Sequence, residues 1–373
     1  MGTQQSRSNH PEISVHELLE RSARSALHYQ RDDGSFPPGR NYAYDEPETP
    51  VRTTAHWLTT LSTVYEITGD EKYYQAADHA TDFLLQKSNR PDGYTFYCRK
   101  TDEKDACNGL VGQAEPIRAL SLAGVLLGRQ DASSTAEEVY SIHPFNEQVG
   151  LWERIEIDGR SLSFDRTMNH QILFAGAAVE LVPESSEIED DLWRFLDGLR
   201  SNLRVHSDGV IKHFIRPTPR RSATLILRNR RYWHLLRNEV LYHVYSHSQK
   251  RWLKELSYQP VNLHPLGRLY DTFPDHPLWT MDKIENARSV LKSEANLSRM
   301  TELSSGSVLP GIRSACALSY FETDADELVP RIERDLRYYL DENYLLSNGD
   351  VNASNLSSTI SHLTDFPNKQ LFE

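Results

Sequence analysis

The fold is decided by a join between two helices at Val64 to Gln86, which reads VYEITGDEKYYQAADHATDFLLQ. Gly69 can end the first helix in a left-handed conformation, and the side chain of Asp70 can cap the helix that follows. In this second helix, small and aromatic residues recur at helical spacing and predict one buried stripe: Tyr73, Ala76, Ala77, Ala80 and Leu84. The first helix carries little charge, so we expect a buried helix followed by an outer amphipathic one.

The same join recurs further along the chain. Residues 174–200 read FAGAAVELVPESSEIEDDLWRFLDGLR, and residues 318–340 read LSYFETDADELVPRIERDLRYYL. Turns with Asp-Gly follow the amphipathic helices at DDGSF from Asp32, PDGYTFY from Pro91 and SDGVIKHF from Ser207. A helix–turn–helix unit that recurs several times along the chain is the signature of a helical-repeat architecture.

Counting these units gives six helices of low charge and six amphipathic ones. The low-charge helices are predicted at Thr53–Ile67, Leu110–Leu127, Met168–Val182, Pro260–Phe273, Val308–Phe321 and Asn355–Leu363. The amphipathic helices are predicted at Ile13–Gln30, Glu71–Lys87, Ser134–Ile142, Ile188–Arg204, His276–Leu291 and Glu327–Tyr344. Six inner and six outer helices in alternation predict an all-α (α/α)6 toroid, with residues 1–373 forming a single domain. An open helical-repeat solenoid is the alternative.

One segment, residues 205–257, interrupts this alternation. VIKHFIR at 210–216 and ATLILRNR at 223–230 alternate like strands, and PTPRR lies between them. We therefore predict a β-hairpin inserted on the rim of the toroid. Insertions of this kind often form a lid or one wall of a cleft.

Composition excludes several classes of protein. A net charge of −12 opposes binding to nucleic acid or to an anionic membrane surface, and 38% hydrophobic residues oppose wholesale disorder. No apolar run approaches the length of a membrane span, and the polar start lacks the apolar core of a secretory signal. Cys98, Cys107 and Cys316 show no CxxC spacing. We expect a cytoplasmic protein with no metal site and no cofactor.

Several stretches resemble known carbohydrate-active families. TGDEKYYQAADHATDFLL at 68–85 resembles the helix joins of unsaturated glucuronyl hydrolases and sugar 2-epimerases. NGLVGQAEPIRALSLAG at 108–124, TMNHQILFAGAAVEL at 167–181 and YQPVNLHPLGRLYDTFPDHPLW at 258–279 together resemble the AglQ-type proteins of archaeal N-glycosylation clusters. Those are similar in turn to VpsJ-type polysaccharide-biosynthesis proteins. The resemblance runs from about Thr49 to Phe321.

This resemblance implies an (α/α)6 fold and a role in building or trimming an acidic glycan. The expected function is that of a carbohydrate-active enzyme processing a uronic-acid-containing glycan, during N-glycan or surface-polysaccharide assembly. Its partner would be an acidic oligosaccharide, either free or lipid-linked. The resemblance assigns no catalytic residue, and a non-catalytic glycan-binding or scaffold protein of the same fold is the alternative.

Polar residues near the ends of apolar inner helices are the candidates for a site, because burying them without a use costs about 1–3 kcal/mol each. Hydrolysis of a glycan needs carboxyl groups, and Asp105, Glu115 and Asp165 are the candidates. A buried ion pair of Glu115 with Arg118 or Arg313 is the alternative use of that glutamate.

Epimerisation or elimination would instead use a proton shuttle of histidine and tyrosine. His170, His264 and Tyr258 are the candidates for moving the proton. Arg268 lies four residues after His264 and shares its helix face, so Arg268 or Arg313 could neutralise a sugar carboxylate.

Five further residues are candidates for holding the substrate. Gln113 and Asn169 stand in the first turns of predicted inner helices, and His213 lies on a strand of the predicted hairpin. Tyr97 and Trp233 are predicted on loops, where an aromatic ring is available to stack on a sugar ring.

Overall fold

The computed structural model of the protein describes residues 12–41, 46–101, 103–215, 249–304, 309–322, 324–341, 344 and 353–372. Its helices are α1 (Val15–Ala26), α2 (Val51–Thr68), α3 (Glu71–Leu85), α4 (Gly109–Leu127), α5 (Gln130–Ser141), α6 (Met168–Ala177), α7 (Ser186–Asn202), α8 (Gln249–Ser257), α9 (Gln259–Thr272), α10 (Asp282–Lys292), α11 (Glu294–Ser304), α12 (Pro310–Leu318), α13 (Val329–Tyr339) and α14 (Ala353–Leu363). Its strands are β1 (Ile13–Ser14), β2 (Arg40–Asn41), β3 (Glu46–Pro47), β4 (Phe145–Asn146), β5 (Leu151–Ile155), β6 (Ser161–Phe164) and β7 (Gln370–Leu371).

The low-charge helices form a closed inner ring. Each of α2, α4, α6, α9, α12 and α14 packs against the next, and α14 packs back against α2. The ends of the described chain also meet, because β1 pairs antiparallel with β7. This closure excludes the open solenoid and confirms the predicted (α/α)6 toroid.

The decisive join has the predicted local structure. Gly69 adopts φ +65° as the C-cap of α2, and the Asp70 side chain accepts a hydrogen bond of 3.1 Å from the backbone N–H of Lys72. The predicted stripe of α3 is buried, as are most residues of α2. The contrast in charge between the two helices therefore separates the inner layer from the outer layer.

Helix α4 differs from one expectation drawn from the sequence. Its 19 residues are long and apolar enough to span a membrane, by length and composition alone. However, 67% of its most apolar window is buried inside the toroid. The apolar surface of α4 thus packs against neighbouring inner and outer helices.

The β-structure lies partly outside the predicted rim insertion. Strands β4, β5 and β6 form a three-stranded antiparallel sheet that the sequence analysis does not predict. Within residues 205–257, Val205 and Ile211 form an isolated bridge, and the described part ends in helix α8. The predicted second strand at 223–230 lies outside the described residues.

The same hydrogen-bonding arrangement recurs at several inner helices: the side-chain amide of a glutamine near the start of the helix bonds the backbone of an earlier segment of chain. Gln113 accepts a hydrogen bond of 2.7 Å from the backbone N–H of Phe96 and donates one of 3.1 Å to its carbonyl. Gln171 does the same with Trp152, at 3.0 and 2.9 Å. Gln259, at the start of α9, also accepts a hydrogen bond of 2.9 Å from the backbone N–H of Ile211, which precedes α8 in the chain. These buried amides therefore attach chain segments that precede the inner helices to the first turns of those helices.

Candidate active site

The inner helices begin at a common end of the toroid. Because the chain returns through the outer layer between successive inner helices, the inner helices run in the same direction. Their first turns therefore surround one opening, which we call the mouth. The side chains of Asp105, Arg154, Asp165, His170 and His213 form a group there, which we call the mouth cluster.

The centre of the mouth cluster is a carboxylate–imidazole pair. Asp165 precedes α6, and its Oδ2 lies 2.8 Å from Nδ1 of His170 in the first turn of that helix. The Asp165 side chain is 5% exposed, whereas that of His170 is 27% exposed. Asp165 also accepts backbone N–H bonds from Thr167 at 3.1 Å and from Leu110 at 3.3 Å. The carboxylate is thus fixed, and it orients a histidine that solvent can reach.

Charge keeps this carboxylate ionised. Burial raises the pKa of Asp165, but His170 and Arg154 together lower it by more than burial raises it. The pKa of Asp165 therefore lies below its usual range. An ionised carboxylate only accepts hydrogen bonds, so Nδ1 of His170 donates to it. Nε2 is then the ring nitrogen left to exchange a proton with a substrate.

Asp105 is neutralised within the protein. It forms ion pairs with Arg99 and with Arg154, whose Nη1 lies 3.1 Å from Asp105 Oδ2. Arg154 also lowers the pKa of Asp165. Asp105 and Asp165, two of the three predicted carboxyl groups, therefore both interact with one arginine on β5.

His213 and Tyr258 come together beside this pair. Their rings stack with centroids 5.2 Å apart and planes 14° from parallel. Burial, and then the nearby charges of His170 and Lys254, lower the pKa of His213 to about 3. His213 is therefore uncharged at neutral pH. Three predicted residues, His170, His213 and Tyr258, thus meet at the mouth.

A second group of polar side chains lines a small cavity on the axis of the toroid. Glu115, Arg118, His264, Arg268 and His362 line it, together with apolar residues of α4, α6 and α9. Its volume is about 20 Å³, which is room for one water molecule but not for a sugar ring. We call these five residues the axial cluster.

Glu115 is ionised in this cluster. Its Oε2 lies 3.5 Å from Nε2 of His56, too far for a hydrogen bond but close enough for attraction. Burial raises the pKa of Glu115, yet His56, Arg52 and Arg118 together lower it to about 2. Glu115 therefore holds no proton at neutral pH. Among the described residues, the ionisable side chain within 4 Å of Glu115 is His56 rather than either arginine expected from the sequence.

The two histidines of the axial cluster are uncharged. The rings of His264 and His362 lie 4.4 Å apart, and burial lowers the pKa of both. Nε2 of His264 lies 2.8 Å from Asp365 Oδ2, although the two are not aligned for a hydrogen bond. Asp365 also pairs with Arg118 at 2.7 Å.

No protein-family profile matches the chain. Archaeal glycosylation protein Q of Haloferax volcanii is 37% identical to it over 287 residues, which are 75% of this chain and 77% of the relative. The chain belongs to the family of archaeal glycosylation protein Q. The predicted AglQ-type membership is thereby confirmed, and the protein is a homologue of a glycosylation-pathway protein.

Solved structures share the fold of this glycosylation protein Q homologue. Cellobiose 2-epimerase from Bacillus thermoamylovorans B4167 has a TM-score of 0.64 at 12% identity, covering 94% of this chain and 98% of that one. An unsaturated glucuronyl hydrolase specific for heparin has a TM-score of 0.58 at 12% identity, covering 94% and 96%. At such identity the likeness establishes the (α/α)6 barrel fold and no more.

The structure corrects two predicted binding roles in this glycosylation protein Q homologue. Gln113 is 0% exposed, and its amide is used by the backbone of Phe96 and Cys107, so it cannot meet a substrate. Arg268 is buried and forms an ion pair with Glu180, so its charge is already balanced. Both residues stabilise the toroid instead.

The other predicted binding residues differ in their surroundings. Asn169 is buried, and its Oδ1 has no hydrogen-bond partner in the described part of the chain. Tyr97 is half-buried on the loop before α4. Trp233 lies outside the described residues. Arg313 donates to Ser358 Oγ at 3.1 Å, across the boundary between α12 and α14.

The predicted residues fall into two places rather than one. Glu115 and His264 line the axial cavity, whereas His170 belongs to the mouth cluster. Arg154, His56 and His362 are functional candidates that the sequence analysis does not include. A search for every histidine within low-charge helices would have found the last two, but nothing around Arg154 marks it.

Proposed function

We propose that this protein is a sugar epimerase that moves a proton at a carbon of a uronic-acid-containing saccharide in a glycosylation pathway. One observation carries the proposal. At the mouth, a buried and ionised Asp165 orients the half-buried imidazole of His170 at 2.8 Å, and the uncharged His213 stacks on Tyr258 beside it. A base held by a third group, in reach of solvent, is the arrangement that proton abstraction requires.

The proposed reaction begins with abstraction of the proton at C5 of the uronate. Nε2 of His170 takes this proton, the C–H bond breaks, and its electron pair spreads into the adjacent sugar carboxylate. Asp165 stabilises the imidazolium that forms. Tyr258 then returns a proton to the opposite face of C5, which inverts that centre. The saccharide chain stays intact. His170 then releases the proton that it took from C5 to solvent, and the tyrosinate of Tyr258 regains a proton from solvent, so that both side chains return to their starting forms.

The carboxyl groups favour this chemistry over hydrolysis. Cleavage of a glycosidic bond by paired carboxyl groups needs one that is protonated at working pH. The pKa of Glu115 is about 2, and that of Asp165 lies below the usual range. Asp105 is shared by two arginines. Glu115 and Asp165 are therefore poor donors of a proton to the leaving oxygen.

The proposal places this reaction in the cytoplasm, on an acidic oligosaccharide that is free or lipid-linked. Free, buried thiols at all three cysteines support a reducing compartment. The proposed substrate class rests on proton acidity, since a hydrogen next to a carboxylate is easier to remove than one elsewhere on a saturated sugar ring.

The experiment is incubation of the purified protein with short uronic-acid oligosaccharides in D₂O, read by proton NMR and mass spectrometry. Deuterium at C5 without cleavage is expected, and H170Q should abolish it. H28Q, at an exposed histidine of the outer layer, is the matched control and should leave exchange unchanged.

Three results would overturn the proposal. Chain shortening without deuterium at carbon indicates a hydrolase, and cleavage with a new C4–C5 double bond indicates a lyase. Binding without any change in the saccharide indicates a non-catalytic glycan-binding protein.

A further inference from the structure

A buried glutamate on α8 holds the segment of chain that carries His213. Glu255 is 2% exposed. Its Oε1 accepts a hydrogen bond of 2.8 Å from the backbone N–H of His213. Its Oε2 lies 2.7 Å from Nε2 of His206, which stands on the other side of the turn at residues 207–209. One carboxylate therefore binds both sides of this turn.

The carboxylate of Glu255 is itself fixed in place. Arg251, one turn earlier on α8, is buried and donates a hydrogen bond of 2.9 Å from Nε to Oε1 of Glu255. The guanidinium of Arg251 also lies over the ring of Phe214, 4.4 Å from its centroid. Charge-assisted hydrogen bonds on both oxygens leave the carboxylate little freedom to move. The position of Glu255 therefore determines where the backbone of His213 lies.

The backbone of His213 is bonded on its other side to the inner helix α6. Its carbonyl accepts a hydrogen bond of 2.7 Å from the N–H of Met168, the first residue of α6. His170, the proposed base, follows two residues later in the same turn. The backbone of His213 thus connects the helix that carries the base to the carboxylate of Glu255.

Tyr258, the proposed proton donor, is attached to the other end of this connection. It follows α8 directly, and its N–H donates to the carbonyls of Lys254 and Glu255 at 3.3 and 3.2 Å. Its ring stacks on the imidazole of His213. Glu255 stands three residues before Tyr258, so the hydrogen bond between Glu255 and His213 connects the elements that carry the base and the donor.

We propose that Glu255 is a positioning residue that sets the separation of Tyr258 from His170 and so decides whether proton abstraction at C5 ends in inversion. This inference rests on the proposed function and adds the residue that controls its stereochemical outcome. Without Glu255, His170 still removes the proton, because Asp165 orients it independently. Tyr258 is then displaced from the opposite face of C5, and the proton returns from His170 with retention. A displacement of about 1 Å can lower a rate about 100-fold.

The test separates two products of reaction in D₂O by proton NMR. Deuterium in the starting epimer reports a proton removed and returned on one face by His170, whose half-buried ring exchanges with solvent. Deuterium in the inverted epimer reports delivery by Tyr258. In E255L, which lacks both acceptor oxygens, inversion should fall about 10- to 100-fold relative to exchange with retention. E255Q keeps one acceptor for the N–H of His213 and should restore most of the wild-type ratio.

A matched control separates positioning from a general loss of stability. Glu180 lies beyond the other end of α6 and forms an ion pair with buried Arg268. E180Q should therefore be less stable than the wild type but keep its ratio of inversion to exchange. If E255L does not fold, as judged by circular dichroism, E255D decides. It keeps a charge for Arg251 but is one methylene group too short to reach His213, and it should lower the ratio several-fold.

The outcomes distinguish this inference from the function on which it rests. An unchanged ratio in E255L, or in E255D where E255L does not fold, overturns the inference alone, even if both rates fall together. A ratio as low in E255Q as in E255L also contradicts it, because the acceptor for His213 is then not what matters. Absence of deuterium at C5 with the wild type overturns the proposed function, and the inference with it.

Discussion

Asp165 holds His170 at 2.8 Å, and the same carboxylate oxygen accepts a backbone N–H from the start of the neighbouring helix α4. One side chain thereby joins two inner helices and orients the histidine proposed as the base. A buried carboxylate that both caps a helix and aligns an imidazole links the stability of the mouth to its chemistry.

Replacing this carboxylate should damage catalysis more than folding. In D165N the amide can donate to Nδ1, which favours the wrong tautomer of His170. We expect C5 exchange to fall about 10²- to 10⁴-fold. The melting temperature, followed by circular dichroism, should change by only a few degrees. An exchange rate within threefold of the wild type would show that Asp165 does not orient the base.

The stability of the toroid should depend on the ionisation of Asp335. This buried carboxylate on α13 accepts a hydrogen bond of 3.0 Å from the N–H of Ile312 in α12, and burial raises the pKa of Asp335 from 3.8 to about 6. The folded state therefore favours the protonated form. Stability from this residue is present below pH 3.8 and is lost as the pH rises through 6. The loss is about 3 kcal/mol.

The variant D335N cannot ionise and should remove this dependence. Urea unfolding at pH 5 and pH 7.5 measures the free energy of unfolding. The advantage in stability of D335N over the wild type should be larger at pH 7.5 than at pH 5. D32N, at an exposed aspartate of a turn, is the control and should follow the wild type at both values. A D335N curve parallel to that of the wild type would contradict the assigned shift.

Loss of Gln113 should destabilise the protein without a direct effect on chemistry. In Q113L the backbone N–H of Phe96 loses its acceptor inside the core. We expect a loss of about 1–3 kcal/mol in the free energy of unfolding. Q148L, at an exposed glutamine, should cost much less. C5 exchange per folded molecule should be unchanged. A selective loss of substrate affinity in Q113L would restore the binding role that the structure argues against.

The ion pair of Arg268 with Glu180 should be needed for folding. In E180Q the buried guanidinium loses its counter-charge, and we expect a loss of about 3–5 kcal/mol in the free energy of unfolding. Denaturant titration of the wild type and E180Q measures this loss in the free energy of unfolding. E184Q, at an exposed glutamate close by in sequence, is the matched control. Equal stability of the two variants would mean that Arg268 finds another partner.

The helices could be read from sequence because their signals are local. Gly69 and Asp70 mark one join, and the spacing of apolar residues marks which face of α3 is buried. The sheet formed by β4, β5 and β6 could not be found in this way. Its strands are two to five residues long, too short for alternation to be distinguished from chance.

The sequence by itself therefore determined the two layers of helices, the number of helices in the inner ring and the membership in the family of archaeal glycosylation protein Q, since these follow from periodicity, charge and recognisable motifs. Only the tertiary structure decided which polar residues are free to act. Gln113 and Arg268 look like site residues in the sequence, but their partners Phe96 and Glu180 come from other elements. Asp165 meets His170 within one segment of chain, but its second contact, with the backbone N–H of Leu110, forms only when α4 and α6 pack together. Pairing of buried charges depends on distances between helices, and those distances exist only in the folded toroid.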